Sequence, residues 1–577
     1  MCGIVGYCDK QDIHRDIIES LKKIDYRGYD SHGVALVSEN PVVYREVGDI
    51  DVENYLEHTK HSKAETAIAH TRWATHGEVS KANTHPFVVG DIAIVHNGTI
   101  DTSALSDIFP EVECRTEVDS EWIAQLIALH RNNYPLTSLE NSIKSAIAFL
   151  GEDIGAFLVV DLLSNQLIGY SDGSPLLVSS NMVASDIQAF KDKAKPKRLN
   201  SKVMVVMSWD SPSYNNVRYI NLGECSRPLY TSCQEHKEIK KSSSVHGHYM
   251  LDEILEQIDM VDRLQPKTSK QEMESQFDCT FDDIVFFGCG SSYYAGMLLS
   301  KALYKQGVST SYEYASEMTI TASDICNYPN RTYCAISQSG ETKDTVEVAK
   351  KLAGVGAHVS VIENKETSIS TLSQYVTDQH IDIEAGPEYG VAATKSFMAT
   401  YLSVIGVARR SPLKDTLSDI YQSTWPPTSP ISLFDNCLFL GTGLYYPIAL
   451  EAALKMKEVA YIHAEGMPAA EMKHGPLALV DDNMPVIFLY SKHQACKRDR
   501  IEANIQEIIS RKGRVLLITD ESFNIPNIEE IKVPHVRLWT EQPMVHLMAV
   551  QLLAYYVGCA RGCEIDKPRN LAKSVTV

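Results

Sequence analysis

Residues 283–303 read DIVFFGCGSSYYAGMLLSKAL. A short apolar run meets a glycine-rich turn, and the turn opens a segment with helical spacing. The same rhythm follows in RTYCAISQSGETKDTVEVAKKL, residues 331–352, and a third strand begins in AHVSVIENK, residues 357–365. Strand, turn and helix in this order predict a doubly wound parallel α/β sheet. A weaker copy appears later. IVFFGCGSSYYA, residues 284–295, resembles CLFLGTGLYYPI, residues 437–448, with the glycine pair Gly288/Gly290 matched by Gly441/Gly443. Two related α/β domains are therefore expected. They fall at 249–422 and 431–566, separated by the proline-rich STWPPTSP, residues 423–430.

The first 210 residues have a different character. Short β-like runs such as HGVALVS, TAIAHTRW, DIAIVHNG and GAFLVVDLL alternate with helical patterns such as RDIIESLKKI and SEWIAQLIALHRNN. They predict an α+β domain whose sheets are covered by helices. Residues 211–248, with a Lys/Ser-rich run from Lys237 to Ser244, read as a linker. The chain closes in KPRNLAKSVTV, residues 567–577, whose apolar positions suggest a docked tail.

Bulk properties narrow the function. The 577 residues carry 54 Lys+Arg against 74 Asp+Glu, a net charge of −20. That excess argues against nucleic acid and anionic membrane as partners. A phosphorylated substrate would have to be held by local donors. The 13 cysteines have no framework or metal spacing. With no signal-like segment and no apolar stretch of bilayer length, a cytoplasmic protein is expected.

Several motifs bear chemistry. The chain begins MCGIVGY. Cys2 is either a small buried thiol on a strand or, once Met1 is removed, a nucleophile carrying its own α-amine. Such an amine titrates at roughly 7.7–8.0 and suits a general base. Arg72 in AHTRWATHGE offers a fork for a carboxylate. Asn97 and Gly98 in HNGTI suit an oxyanion hole as well as a turn. Asp119 could cap the following helix or grip a cation, and His76 could be structural or catalytic. Ser337, Ser339 and Thr342 in SQSGET, with Ser291 and Ser292 in the neighbouring turn, make a lysine-free phosphate cradle or simple helix caps. Glu451, Lys455 and Glu458 share one helix face, either as a solvated ion-pair row or as a polar stripe lining a site. His474 precedes a Gly-Pro stop, and Lys573 lies in the terminal segment, where docking would desolvate its amine.

Taken in order, these motifs resemble the glutamine–fructose-6-phosphate aminotransferase (isomerising) family along nearly the whole chain. They are CGIVGY, YRGYDS, AHTRWATHG, HNG, CGSSY, ISQSGET, GVAATKSF, YPIALEAALKMKE, KHGPLAL and PRNLAKSVTV. The resemblance implies an N-terminal-nucleophile glutaminase, an αββα sandwich, followed by two sugar isomerase (SIS) domains. It assigns Cys2 as nucleophile and Asn97 and Gly98 as oxyanion hole. Arg72 and Asp119 become holders of the glutamine α-carboxylate and α-amine, and Thr75, His76 and Gly77 line that pocket. Arg27 supports the nucleophile, and Trp73 gates an ammonia path. Ser292, Ser337, Gln338, Ser339 and Thr342 become ligands of fructose 6-phosphate. Lys573 is the Schiff-base lysine, Glu458 the base moving a proton between C1 and C2, and Lys455 its helper. His474 is the ring-opening histidine, supplied by a second subunit, so a homodimer is implied. No metal or organic cofactor is implied. The expected product is glucosamine 6-phosphate, at the first step of UDP-N-acetylglucosamine biosynthesis. The alternative is a non-catalytic sugar-phosphate-binding regulator with a vestigial glutaminase domain. Three departures from the family pattern stand out. His32, where the family commonly has a small residue, could crowd or retune the glutamine pocket, Ala393 stands where serine is common, and the linker is short.

Overall fold

The computed structural model describes residues 2–9, 11–74, 77–191, 194–208, 216–223, 229–232, 244–264, 283–319, 331–364, 370–408, 411–422 and 430–575. The chain divides into two units, residues 1–240 with 574–577, and residues 241–573.

The first unit holds two antiparallel sheets. One has eight strands in the order Tyr230–Ser232, Lys197–Leu199, Leu177–Val178, Met182–Ala184, Gly3–Cys8, Thr66–Arg72, Ser31–Val37 and Val42–Val47. The other has six, in the order Asn216–Asn221, Val203–Ser208, Gln166–Asp172, Gly155–Asp161, Ile92–Asn97 and Phe87–Val89. Alternation assigns each strand's side chains to two layers. Ile4, Cys8, Ala35 and Ile68 meet Val95, Leu158 and Val205 between the sheets. Val5, Tyr7, Val34 and Leu36 turn outward onto Ile17, Ile18 and Leu21 of the helix His14–Lys23. On the far side, the helices Glu121–Asn133 and Leu139–Leu150 cover Ile94, Phe157 and Ile168. The layers run αββα. Central strands buried on both faces explain why their sequences read as nearly continuous apolar runs.

The stretch 211–248, expected to be a linker, is more structured than that. Asn216–Asn221 pairs with Val203–Ser208, and Tyr230–Ser232 pairs with Lys197–Leu199, so both are edge strands of the sandwich. Edge strands are half exposed and carry polar residues, which gives them the composition of loop. The proposed break at 423–429 lies outside the described residues.

The second unit holds two five-stranded parallel sheets of one topology. The first runs Thr310–Tyr314, Asp283–Gly288, Arg331–Ile336, His358–Glu363, His380–Asp382. The second runs His463–Pro468, Asn436–Gly441, Pro485–Tyr490, Arg514–Thr519, Ile528–Lys532. Each has chain order 2-1-3-4-5, so successive crossovers diverge beside its first strand, and a crevice opens at the carboxyl ends there. In the first sheet that crevice lies between the turn after Gly288 and the loop after Ile336. The helix Gln542–Ala560 is, among the described residues, the one long and apolar enough to cross a bilayer; 83% of its apolar window is buried inside this unit. It packs with the helices Tyr445–Ala460 and Lys395–Ile405 in the core that joins the two sheets.

Candidate active sites

Cys2 immediately precedes the strand Gly3–Cys8 of the eight-stranded sheet and, by alternation from Ile4, faces the inter-sheet side. Its Sγ receives the Trp73 N–H at 3.5 Å and lies 3.7 Å from the Trp73 carbonyl. Its backbone N donates to Asn97 Oδ1 at 3.2 Å. Burial pushes the thiol up from its ordinary range, against the N-terminal charge, the Trp73 N–H and the Arg72 and Arg27 guanidiniums. A protonated thiol of this kind needs a base to become a nucleophile. Arg27 Nε donates to the Cys2 carbonyl at 3.4 Å and is itself fixed by Asp186 at 2.8 Å.

Asn97 ends the strand Ile92–Asn97 and is 1% exposed, yet its Nδ2 has no acceptor among the described residues. Buried donors are nearly always paired, so this one stands open to a further acceptor. Gly98 follows; a Cβ there would stand 2.2 Å from the Ile154 carbonyl oxygen, so only glycine permits this approach. Arg72, buried at the end of its strand, donates to the carbonyls of Glu78 at 3.1 Å and Gly77 at 3.2 Å. Asp119 accepts the N–H groups of Ile100 at 2.7 Å and Ser120 at 2.9 Å. Trp73 stands edge-on to Tyr29 at 5.6 Å.

In the second unit, Ser337 Oγ accepts the Gly340 N–H at 3.0 Å and lies 3.2 Å from Thr342 Oγ1, while Ser339 Oγ accepts the Glu341 N–H at 3.2 Å. This loop opens the helix Lys343–Gly354, and Ser292 lies in the first turn of Ser291–Lys305 across the crevice. Hydroxyls gather there at two helix N-termini, an arrangement suited to a phosphate. Lys573 is docked, its side chain 8% exposed, donating to Glu388 Oε2 at 2.6 Å and to the Gly390 carbonyl at 2.7 Å. The amine is thus met by a carboxylate rather than by an apolar wall.

Comparison with known proteins bears on these sites. A model described as glutamine amidotransferases class-II matches residues 49–181, and one described as SIS domain matches residues 281–405 and 435–557. The glutamine–fructose-6-phosphate aminotransferases [isomerizing] of Acinetobacter baylyi and Aquifex aeolicus are 33% and 34% identical to the chain over all of both proteins. The chain belongs to the glutamine–fructose-6-phosphate aminotransferase (isomerising) family. The C-terminal domain of the Francisella tularensis glucosamine-fructose-6-phosphate aminotransferase covers 57% of this chain and 100% of its own at 29% identity, with a TM-score of 0.48.

Within this family frame, Glu451, Lys455 and Glu458 form a buried stripe, not a solvated row. Glu451 and Lys455 are fully buried; Lys455 Nζ lies 3.3 Å from Glu451 and is paired with Glu458. Burial pushes the Glu451 carboxyl up to about 7, with Glu458 adding to the rise and Lys455 opposing it. For Lys455 burial acts downward, but the two carboxylates outweigh it and raise the amine. Ser291 Oγ donates to Glu451 at 3.0 Å, linking the first repeat to the second. His474 stands exposed on the short 3-10 turn Glu471–His474, and among the described residues no hydrogen bond of the Lys573 cluster involves it. Thr75 and His76 lie outside the described residues.

One expectation changes. His32 does not crowd the thiol. It shares its face of the strand Ser31–Val37 with Val34 and Leu36, packs on Tyr44 at 6.0 Å and bonds the Gly48 carbonyl at 3.0 Å in the helix layer, opposite to the Cys2 face. Period-two alternation decides this, and adjacency to YRGYDS does not. Residues unmarked by the motifs also gather at Lys573. Glu388 is buried and accepts the Thr394 and Ser396 N–H groups at 3.0 and 3.1 Å. Burial acts to raise its carboxyl, but Lys573 and these bonds outweigh it and hold it at about 2. Glu253, on the helix Tyr249–Arg263, accepts the Gly390 N–H at 3.0 Å. Burial first, and then the Glu388 charge, push it up to about 8. The one sequence signal was Glu253 itself, a carboxylate set in the apolar stripe of Met250, Ile254 and Val261. Glu388 gave none, since its partner is 185 residues away.

Proposed function

We propose that this chain transfers the amide nitrogen of L-glutamine to D-fructose 6-phosphate and isomerises the product, giving D-glucosamine 6-phosphate and L-glutamate. The observation that carries the reading is the pairing, in one chain, of a half-buried thiol beside the Asn97 donor, unpartnered among the described residues, with a docked lysine amine.

With Met1 removed, the α-amine of Cys2 takes the thiol proton and Sγ attacks the glutamine side-chain carbonyl. Asn97 Nδ2 and the Gly98 N–H stabilise the oxyanion, while Arg72 and Asp119 hold the α-carboxylate and α-amine. Collapse releases ammonia, and water then frees glutamate from the thioester. At the second site the Ser337–Thr342 loop, with Gln338, Ser339 and Ser292, holds the phosphate. Lys573 condenses with the C2 carbonyl of the open-chain ketose, expelling water. Ammonia displaces Lys573 from that imine. Glu458, aided by Lys455, removes a proton from C1 and returns one to C2, leaving an aldehyde at C1 and an amine at C2. Glu388 balances the positive charge that develops on Nζ as the imine forms. Ring opening falls to His474 of a second subunit, which makes the working unit a homodimer; its exposure on a short turn supports that reading. A cytoplasmic setting fits substrates of this class.

The test is product analysis. The protein is given fructose 6-phosphate and amide-¹⁵N glutamine with excess unlabelled ammonium. Labelled glucosamine 6-phosphate is expected. Glutamate without amino sugar would refute the sugar half, and unlabelled amino sugar alone would refute the transfer.

A further inference from the structure

A cavity of about 250 Å³ lies at the carboxyl end of the second repeat's sheet, with Lys301 of the first repeat's helix Ser291–Lys305 on its wall. Its base is the Gly441–Gly443 turn that leads into the helix Tyr445–Ala460. Gly443 takes φ +62°, as Gly290 takes +54° in the first repeat, so both repeats make the same left-handed turn. The residues after the turn differ. Ser291 and Ser292 of the first repeat are matched by Leu444 and Tyr445, which offer no cradle of small hydroxyls.

Cations take their place. Lys301, Lys497 and Arg500 all line the cavity, and none is ion-paired among the described residues. Burial, and after it the Lys497 charge, lower the Lys301 amine. Lys301 sits over the Tyr312 and Tyr446 rings at 5.9 Å, while Lys497 and Arg500 are exposed and partly screened by water; a bound anion would relieve the repulsion that remains among the three. In a chain of net charge −20 such a cluster runs against the general field. A second observation points to a guest. Asn504 lines the same cavity, is 1% exposed, and spends its Nδ2 on the Ala469 carbonyl at 3.2 Å. Its Oδ1 is buried with no donor among the described residues. A guest satisfying every group would bring an anion for the cations and a hydroxyl for Asn504. The volume lies below the roughly 300 Å³ at which drug-sized pockets begin, which selects a compact molecule.

We propose that this cavity is a second phosphate-monoester site, separate from the Ser337–Thr342 loop, taking a compact hydroxylated phosphate of the hexose phosphate class. It gives the second repeat a binding role alongside its part in the core.

Calorimetric titration of the full chain with glucose 6-phosphate tests this. Two sites per chain are expected. Lys497→Ala/Arg500→Ala, both exposed positions, should weaken one site about tenfold or more, as loss of charge-assisted bonds does, and leave the other unchanged. Ser337→Ala/Thr342→Ala should do the converse, which keeps a failure of the first-repeat assignment distinguishable from a failure of this one. Lys497→Glu/Arg500→Glu should abolish the second site. A single site in the unaltered protein, or a second site indifferent to these charges, overturns the proposal. Inorganic phosphate should bind the cavity more weakly than glucose 6-phosphate; equal affinity would overturn the role of Asn504.

Discussion

Replacing Asn97 by alanine isolates one atom pair. The Nδ2 donor is buried, has no acceptor among the described residues, and sits on the residue whose Oδ1 holds the Cys2 backbone N. If Nδ2 meets the oxyanion, its loss raises the barrier by about 2.7–4 kcal/mol, or roughly 10²–10³ in kcat. The stability ledger runs differently. Deleting an unsatisfied buried donor recovers about 1–3 kcal/mol of desolvation penalty, against about 1 kcal/mol for the bond from Cys2 that is also lost. The melting temperature should therefore move little. Two assays separate the roles: glutamate release from glutamine, and amino-sugar synthesis from free ammonia and fructose 6-phosphate. Asn97→Ala should lower kcat of the first by roughly 10²–10³ with little change in KM, and leave the second intact. A fall below tenfold, or a parallel fall in the ammonia-driven reaction, would refute the oxyanion role and leave Asn97 as a structural clamp.

Lys455→Met should cost about 3–5 kcal/mol in urea unfolding, because two carboxylates lose their shared buried cation. Glu451 already titrates near 7 when folded, above its ordinary 4.5, so the folded state binds the extra proton. Stability is then greatest below about 4.5 and falls as pH rises through 7, so the variant's deficit should be larger at pH 8 than at pH 5; the reverse slope would refute the burial argument. Glu388→Gln should slow ammonia-driven amino-sugar formation about 10–100-fold through the lost charge beside Lys573, leaving glutamate release unchanged; unchanged synthesis would remove Glu388 from the site. His32→Ala should cost about 1–3 kcal/mol of stability yet leave KM for glutamine within about twofold, since the ring faces the helix layer; a large KM change would place it back in the pocket.

The sequence by itself determined the architecture's grammar. Gly288/Gly290 and Gly441/Gly443 mark the strand-to-helix turns because a left-handed or crowded backbone admits only glycine, a local constraint visible in local sequence. The apolar runs of the sandwich strands and the order of motifs from CGIVGY to PRNLAKSVTV were equally legible, since periodicity and residue type are local properties. Tertiary structure decided what depends on distant partners. Glu451, Lys455 and Glu458 share a helix face by spacing alone, but whether that face meets water or the core is set by the helices packed around it. Edge strands at 216–221 and 230–232 look like linker until a neighbouring strand supplies their hydrogen bonds. His32 lies next to the motif that supports the nucleophile, yet the pleat sends it to the opposite layer. Glu388 finds Lys573 across 185 residues. Burial and long-range electrostatics are properties of the assembled core, and no window of sequence contains them.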